Sequence, residues 1–274
     1  MSSRLQSGFE RVDLDAHPQR LAAYLDLVGD LEETRTYRSR AVELLGLSAG
    51  DQVLEVGCGG GEHTLALAHA VGPTGKVVAL DASETMIARA RERIPADLPV
   101  ELMTSDAHEL RLPDAGFAAC CADRVFQHLE HPAKALAEMV RVCRIGGRIV
   151  ISEPDWETLT VELQDRELAR RISLKLADSV RQGSIGRRLV GLFRDAGLST
   201  VAVEGSVLAI TAYDLAERLL GLASRAVRAY EEGRLTAEET AAWLAAMEHA
   251  AQADRFFCSL TGFTVRGTRG QLDV

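Results

Sequence analysis

The stretch Gln52–Val56 and the glycines that follow it (Gly57, Gly59, Gly60, Gly61) constrain this chain more than any other segment. Gln52-Val-Leu-Glu-Val56 alternates and is rich in apolar side chains, the pattern of a buried strand. Four glycines in five positions then require a sharp turn or a backbone that a ligand can approach closely. From Glu62 the apolar residues recur at helical spacing, so the unit reads strand, glycine turn, helix. In a doubly wound α/β fold that unit sits at the crevice where nucleosides bind.

Charge narrows the ligand. A dinucleotide fingerprint places a third glycine or alanine where this chain has Glu62, and leaves the helix N-terminus open to pyrophosphate. Here Glu55 precedes the turn and Glu62 follows it, so a diphosphate would meet two carboxylates. A positively charged nucleoside would not. The run Glu55-Val-Gly-Cys-Gly-Gly-Gly61 resembles the first motif of class I S-adenosylmethionine-dependent methyltransferases, whose ligand carries a sulfonium and an ammonium. The run Glu138-Met-Val-Arg-Val-Cys-Arg-Ile-Gly-Gly-Arg-Ile-Val150 resembles the same family, with Ile145 where the family usually has proline. The resemblance spans roughly residues 47–151 and looks like the small-molecule branch that includes the quinone-biosynthesis C-methyltransferases. It implies an α/β, Rossmann-like, doubly wound sheet of seven mostly parallel strands with an antiparallel last strand. It also implies S-adenosyl-L-methionine as cofactor and S-adenosyl-L-homocysteine as product.

The remaining elements follow in order. Leu21, Tyr24, Leu25, Leu27, Val28 and Leu31 share one face of a leader helix, and a second helix over 37–45 is stopped by Gly46. The second strand, 76–80, ends on Asp81, about twenty residues past the glycines, where a carboxylate accepts ribose hydroxyls. Ser83 is placed to cap the next helix, 84–93. The third strand, 100–104, leads to Ser105-Asp106-Ala107; by the resemblance, Asp106 accepts from the adenine amino group and the Ala107 N–H faces the ring. The fourth strand, 117–122, opens into Asp123-Arg-Val-Phe-Gln-His-Leu129 on the crevice side. A helix over 133–144 and a fifth strand over 148–152 come next, with Glu153-Pro-Asp-Trp156 expected to leave the sheet. Helices are expected over 162–181 and 185–195, a sixth strand over 200–210, a helical pair over 213–230 and 237–253, and an edge strand over 255–267.

The cofactor-binding set expected from this reading is Glu55, Gly57, Gly59, Gly61, Asp81, Ala82, Met86, Asp106, Ala107, Asp123, Arg124 and Tyr24, with Tyr37 beside Tyr24 at the methionine end. His128 and Asp155 are the candidate catalytic bases, since a phenol or enol acceptor must lose a proton. The family shares no single catalytic residue, so neither role is carried over from it. His128, Glu130 and His131 lack a third neighbour for a metal, and no metal is expected.

A chain of 274 residues can bury one full α/β core with additions. The expected organisation is a helical leader over 1–48, a cofactor-binding core over 49–157, and the rest of the sheet over 158–274. Helical insertions near 160–182 and 211–253 would form a lid over the acceptor. The net charge of -9 is a poor match to a phosphate backbone, so nucleic acid is disfavoured. The start lacks an apolar signal core, no run reaches membrane-spanning length, and the five cysteines form no CxxC pair. These features fit a cytoplasmic enzyme whose partner is a small molecule, with the leader helices available for a homo-oligomer contact. The expected reaction is methyl transfer to carbon or oxygen of a small, largely apolar aromatic, quinone or terpenoid-like metabolite of the natural-product type. N-methylation of a small amine, and a non-methylating fold used for cyclisation or binding, are the alternatives. A nicotinamide oxidoreductase is opposed by Glu62 and by the downstream motifs, and a protein- or RNA-modifying enzyme by the acidic charge.

Overall fold

The computed structural model describes residue 13 and residues 18–271, the side chains of 18–22 excepted. Leu21 of the expected leader face, and most of residues 1–17, lie outside the described residues. Strands β1 (Gln52–Val56), β2 (Lys76–Asp81), β3 (Val100–Thr104), β4 (Phe117–Asp123), β5 (Cys143–Val161), β6 (Leu198–Ile210) and β7 (Cys258–Arg269) form one sheet. Its order is β3-β2-β1-β4-β5-β7-β6. Pairing is parallel from β3 through β5, and β7 runs antiparallel to both β5 and β6. The last strand is therefore inserted between two others, where an edge position was expected. β6 forms the edge.

The glycine turn has the conformations its composition demands. Gly57 and Gly61 adopt φ of 73° and 85°, a region that costs other residues about 1–2 kcal/mol. A Cβ on Gly57 would lie 2.3 Å from Val125 Cγ2, so the turn and the end of β4 close on each other only through a missing side chain. Gly61 serves packing. A Cβ there would meet Ile94 Cδ1 at 3.0 Å and Ala90 at 3.2 Å, at the seam between α3 (Glu62–Val71) and α4 (Glu84–Arg93).

Helices cover both faces. α2 (Glu32–Leu45), α3 and α4 bury Leu44, Leu45, Leu67, Val71 and Ile87 on one face. α5 (Pro132–Val142) and α7 (Ile185–Asp195) bury Leu136, Met139, Leu189 and Phe193 on the other. Gly46 ends α2 at φ 60° and Ser83 caps α4 through the Met86 N–H, both as expected.

Several boundaries differ from the sequence reading, and three of the differences bear on the site. β5 was expected to stop at Ser152 and continues to Val161. Pro154 is compatible with a strand there because β4 ends at the Asp123–Ser152 pair, leaving β7 as the one neighbour of β5. Consequently α6 begins at Arg166 rather than Glu162, with Asp165 accepting from the Glu167 and Leu168 N–H groups, and ends at Ala177. The helix expected over 213–230 is broken by Gly221, at φ 61°, into α8 (Tyr213–Leu220) and α9 (Leu222–Glu231). With α10 (Ala237–Gln252), these helices pack over the extensions of β5 to β7 and build an accessory core around Trp156, Ile172, Trp243 and Met247. The leader helix α1 (Pro18–Gly29) joins that core through Val28, Tyr24 and Leu27.

Gly61→Ala combines an unfavourable φ with two close contacts, so we expect a loss of about 1–3 kcal/mol in urea denaturation. An unchanged midpoint would contradict the packing role.

Candidate active site

Two cavities meet at the carboxyl ends of the parallel strands. The larger, about 820 Å³, runs along the glycine turn and the ends of β2, β3 and β4. The smaller, about 90 Å³, lies between the leader helices and the strands β5 to β7, with Val28, Leu31, Trp156, Leu208, Leu220 and Leu260 on its walls. Tyr24 and Arg124 line both.

The larger cleft gathers residues far apart in sequence: Tyr24, Glu55, Gly57, Gly59, Asp81, Ala82, Met86, Asp106, Ala107, Asp123, Arg124 and His128. Gly61 does not line it, for the packing reason given above. Asp81 accepts from the Gly59 N–H (2.9 Å) and the Ser83 N–H (2.9 Å), tying the glycine turn to the end of β2. Burial raises its carboxyl above the usual aspartate range, against the opposing pull of those two N–H groups. Glu55 is buried and accepts from Thr64 Oγ1 at 2.6 Å, with His63 Nδ1 at 3.1 Å. Asp106 accepts from the His108 N–H at 2.8 Å.

The leader supplies Tyr37, which the sequence reading named, and Arg38, which it did not find. Arg38 Nε donates to Asp123 at 2.7 Å, and Tyr37 Oη donates to the other oxygen at 3.0 Å. Burial pushes the Asp123 carboxyl up, but the charges of Arg38, His63 and Arg124 outweigh it and hold it below the ordinary value. Arg38 carries no motif; only the folded position of α2, across the cleft from β4, reveals it. Asp26 of α1 accepts from Arg89 and Arg93 of α4, which fastens the leader along the same cleft.

Residues 123–129 form the wall between the cavities. Arg124 has φ 59°, left-handed for a residue with a side chain, at a cost of order 1–3 kcal/mol. Its guanidinium donates to Tyr24 Oη and stands 5.4 Å from the centre of that ring. The short turn Phe126–His128 is held from below by Glu153, whose carboxylate accepts from the Phe126 and Gln127 N–H groups (2.5 and 3.3 Å). Glu153 is 2 % exposed, and burial pushes it up to about 8 against those two N–H groups.

Both expected catalytic bases change character. Asp155 lines neither cavity: Arg187 of α7 binds both its oxygens, one of them at 2.9 Å, and the residue is wholly buried. Its expected role as a base is corrected to an ion-paired anchor of α7 on β5. His128 does line the larger cleft, but burial, and then the charges of Arg124, Arg225 and Arg181, push its pKa down to about 3. Such an imidazole is neutral throughout the physiological range and holds a proton poorly. No group of three His, Cys, Asp or Glu residues with metal-binding geometry occurs among the described residues. None of their helices is long and apolar enough to cross a membrane.

The larger cleft suits a nucleoside bearing hydroxyls and positive charge. Its walls carry Glu55, Glu62, Asp81, Asp106, Glu109, Asp123 and Glu130 against Arg38, Arg111, Arg124 and Arg181, and a Cβ on Gly59, which lines it, would approach Leu25 of the leader at 3.3 Å. Comparison with known proteins agrees. The family described as "Methyltransferase domain" matches residues 54–151. An uncharacterised 37.1 kDa protein in transposon TN4556 of Streptomyces fradiae is 37% identical over 244 residues, covering 89% of this chain and 70% of that protein. The ubiquinone/menaquinone biosynthesis C-methyltransferase of Pseudomonas fluorescens is 35% identical over 139 residues, 48% of this chain; the match spans about half of that enzyme (54%). Among solved structures, phosphoethanolamine N-methyltransferase 2 of Haemonchus contortus, in complex with S-adenosyl-L-methionine, superposes with a TM-score of 0.59 at 16% identity. The alignment covers 97% of this chain and 60% of that one, a likeness of fold.

The Glu153 environment makes a prediction. A carboxyl whose folded pKa lies above its unfolded value adds stability at low pH that is lost as pH rises from about 4.5 to about 8. In Glu153→Gln that loss, on the order of 3–5 kcal/mol, should disappear from the pH dependence of denaturant stability. Parallel profiles for variant and wild type would contradict it.

Proposed function

The chain belongs to the class I S-adenosylmethionine-dependent methyltransferases, in the branch that resembles the quinone C-methyltransferases, and from that premise we propose that it methylates carbon or oxygen of a small, largely apolar acceptor. The observation that carries this reading is the apolar cavity behind the larger cleft, with Tyr24 and Arg124 on the walls of both.

When bound, S-adenosylmethionine supplies an electrophilic methyl group on a sulfonium. Asp81 would accept the ribose hydroxyls, and Asp106 with the Ala107 N–H would meet the adenine beside Met86. Gly57 and Gly59 would let the backbone lie close to the ligand. Asp123, held by Arg38 and Tyr37, would face the methionine ammonium, with Tyr24 and Arg124 at the boundary to the acceptor cavity.

Methyl transfer needs donor and acceptor in line, and positioning alone supplies much of its rate. Val28, Leu31, Trp156, Leu208, Leu220 and Leu260 make much of the smaller cavity's wall apolar, and low polarity favours a reaction in which charge is lost. Two carboxyl groups near this wall are already engaged, Glu153 by the 126–128 turn and Asp155 by Arg187, while Glu33 of α2 lines the smaller cavity. Tyr24 and Arg124 hold the acceptor against the reacting carbon, and His128 forms wall.

Calorimetric titration with S-adenosylhomocysteine and with NAD tests the cofactor reading. The homocysteine nucleoside should bind and NAD should not. Asp81→Asn should weaken binding of the nucleoside by about tenfold or more, as loss of a charged hydrogen-bond acceptor implies. Binding of NAD alone, or unchanged affinity in Asp81→Asn, would overturn the assignment.

A further inference from the structure

Alternation along the extended strands decides which side chains face the smaller cavity. Ser152 of β5, Thr264, Gly262 and Leu260 of β7, and Ser206 and Leu208 of β6 line it. Ser152 pairs with Thr264, Ser206 with Gly262 and Leu208 with Leu260, so these residues share one face of the sheet. Glu153 and Phe263, one position out of step, belong to the other face. Glu153 holds the 126–128 turn there, and a Cβ on Gly186 of α7 would lie 3.1 Å from the Phe263 ring.

Ser152 and Thr264 are 4 % and 6 % exposed, and their hydroxyl oxygens are 2.8 Å apart. Two hydroxyls carry two hydrogens, and the bond between them uses one. Among the described residues neither hydroxyl oxygen has a further partner, so the second hydrogen is left to donate into the cavity. An enclosed O–H without an acceptor is costly, and an oxygen atom placed beside the pair removes that cost. Other polar groups on the walls are engaged, Tyr37 with Asp123 and Arg124 with Tyr24.

The pair stands at the end of the cavity next to the larger cleft. Ser152 lies opposite Asp123 in the sheet, and its carbonyl accepts from the Arg124 N–H at 2.8 Å. Further along the same face the surface turns apolar at Leu208 and Leu260. Gly262 lies between. A Cβ there would meet only Ser206 Oγ at 3.2 Å and the Glu153 carbonyl oxygen at 3.7 Å within 4 Å, so the missing side chain leaves room beside the pair.

We propose that Ser152 and Thr264 form an oxygen-binding subsite, and that the methyl acceptor is an apolar molecule whose phenolic, enolic or carbonyl oxygen takes a hydrogen bond from the pair. This rests on the reading of the smaller cavity as the acceptor site. The subsite holds the oxygen-bearing end of the acceptor at the boundary with the cofactor cleft and leaves its hydrocarbon part against Leu208 and Leu260. A few placed polar groups in an apolar pocket fix orientation in this way, and in-line transfer depends on orientation.

The test compares phenol with toluene, which match in size and differ in the oxygen, by following the protein's NMR signals as each is titrated into the full chain. Phenol should bind about fivefold or more tightly than toluene, although toluene is the more hydrophobic of the two. In the double variant Ser152→Ala with Thr264→Val, both hydroxyls go together and no orphan remains, so toluene should become the tighter ligand. Thr264→Ser keeps the pair and should keep the wild-type order. Gly262→Ala, which puts a methyl group into the cavity, should weaken both ligands by about threefold or more. Toluene binding more tightly than phenol in wild type, or an order unchanged in the double variant, would overturn the subsite and leave the cavity reading standing. Failure of both to bind, or binding untouched by Gly262→Ala, would remove the acceptor reading, and the subsite with it.

Discussion

A buried carboxyl group beneath the turn at residues 126–128 makes the interaction on which the geometry of this site depends. Glu153 leaves the last shared rung of β4 and β5 and accepts the N–H groups of Phe126 and Gln127, which would otherwise be orphaned in an apolar surrounding. That bond fixes the chain between Asp123 and Leu129, and with it the left-handed backbone of Arg124. The strain at Arg124 and the raised proton affinity of Glu153 are local costs, offset by the packing of Phe126 in the main core. What results is a thin wall with Asp123 toward one cavity and Arg124 shared by both.

The leader completes that wall from the other side. α1 contributes Tyr24 and α2 contributes Tyr37 and Arg38, while Asp26 clamps the leader to α4 through Arg89 and Arg93. The elongated strands β5 to β7 and the helices packed on them supply the apolar back of the smaller cavity. In the proposed function the sheet positions the cofactor groups, and the additions to the sheet shape the acceptor space. Chemistry that asks mainly for alignment and dryness is well served by such a division.

Much of the sheet and its crevice was legible because short-range rules determine it. The glycine turn needs its glycines, Asp81 ends an alternating apolar strand, and Ser83 caps the helix after it, each readable within a few residues. Acceptor-side features were not legible. Pro154 reads as a strand breaker unless it is known that β4 has already ended, so Asp155 was expected at the crevice and proved to be bound to Arg187. The glycine at 61 reads as part of the ligand loop, yet its missing side chain serves the contact with Ala90 and Ile94. Arg38 lies 85 residues before the Asp123 that it binds, and no local pattern announces that they share a site. Long-range side-chain convergence is the part of a structure that periodicity does not encode.

The central claim is that the cofactor cleft and the apolar cavity meet across the Tyr24–Arg124 wall. A crystal structure with S-adenosylhomocysteine bound tests it most directly. The account predicts ribose hydroxyls on Asp81, adenine beside Asp106, and the sulfur at the Tyr24–Arg124 boundary, facing the smaller cavity. A nucleoside bound elsewhere, or one whose sulfur points away from that boundary, would contradict it.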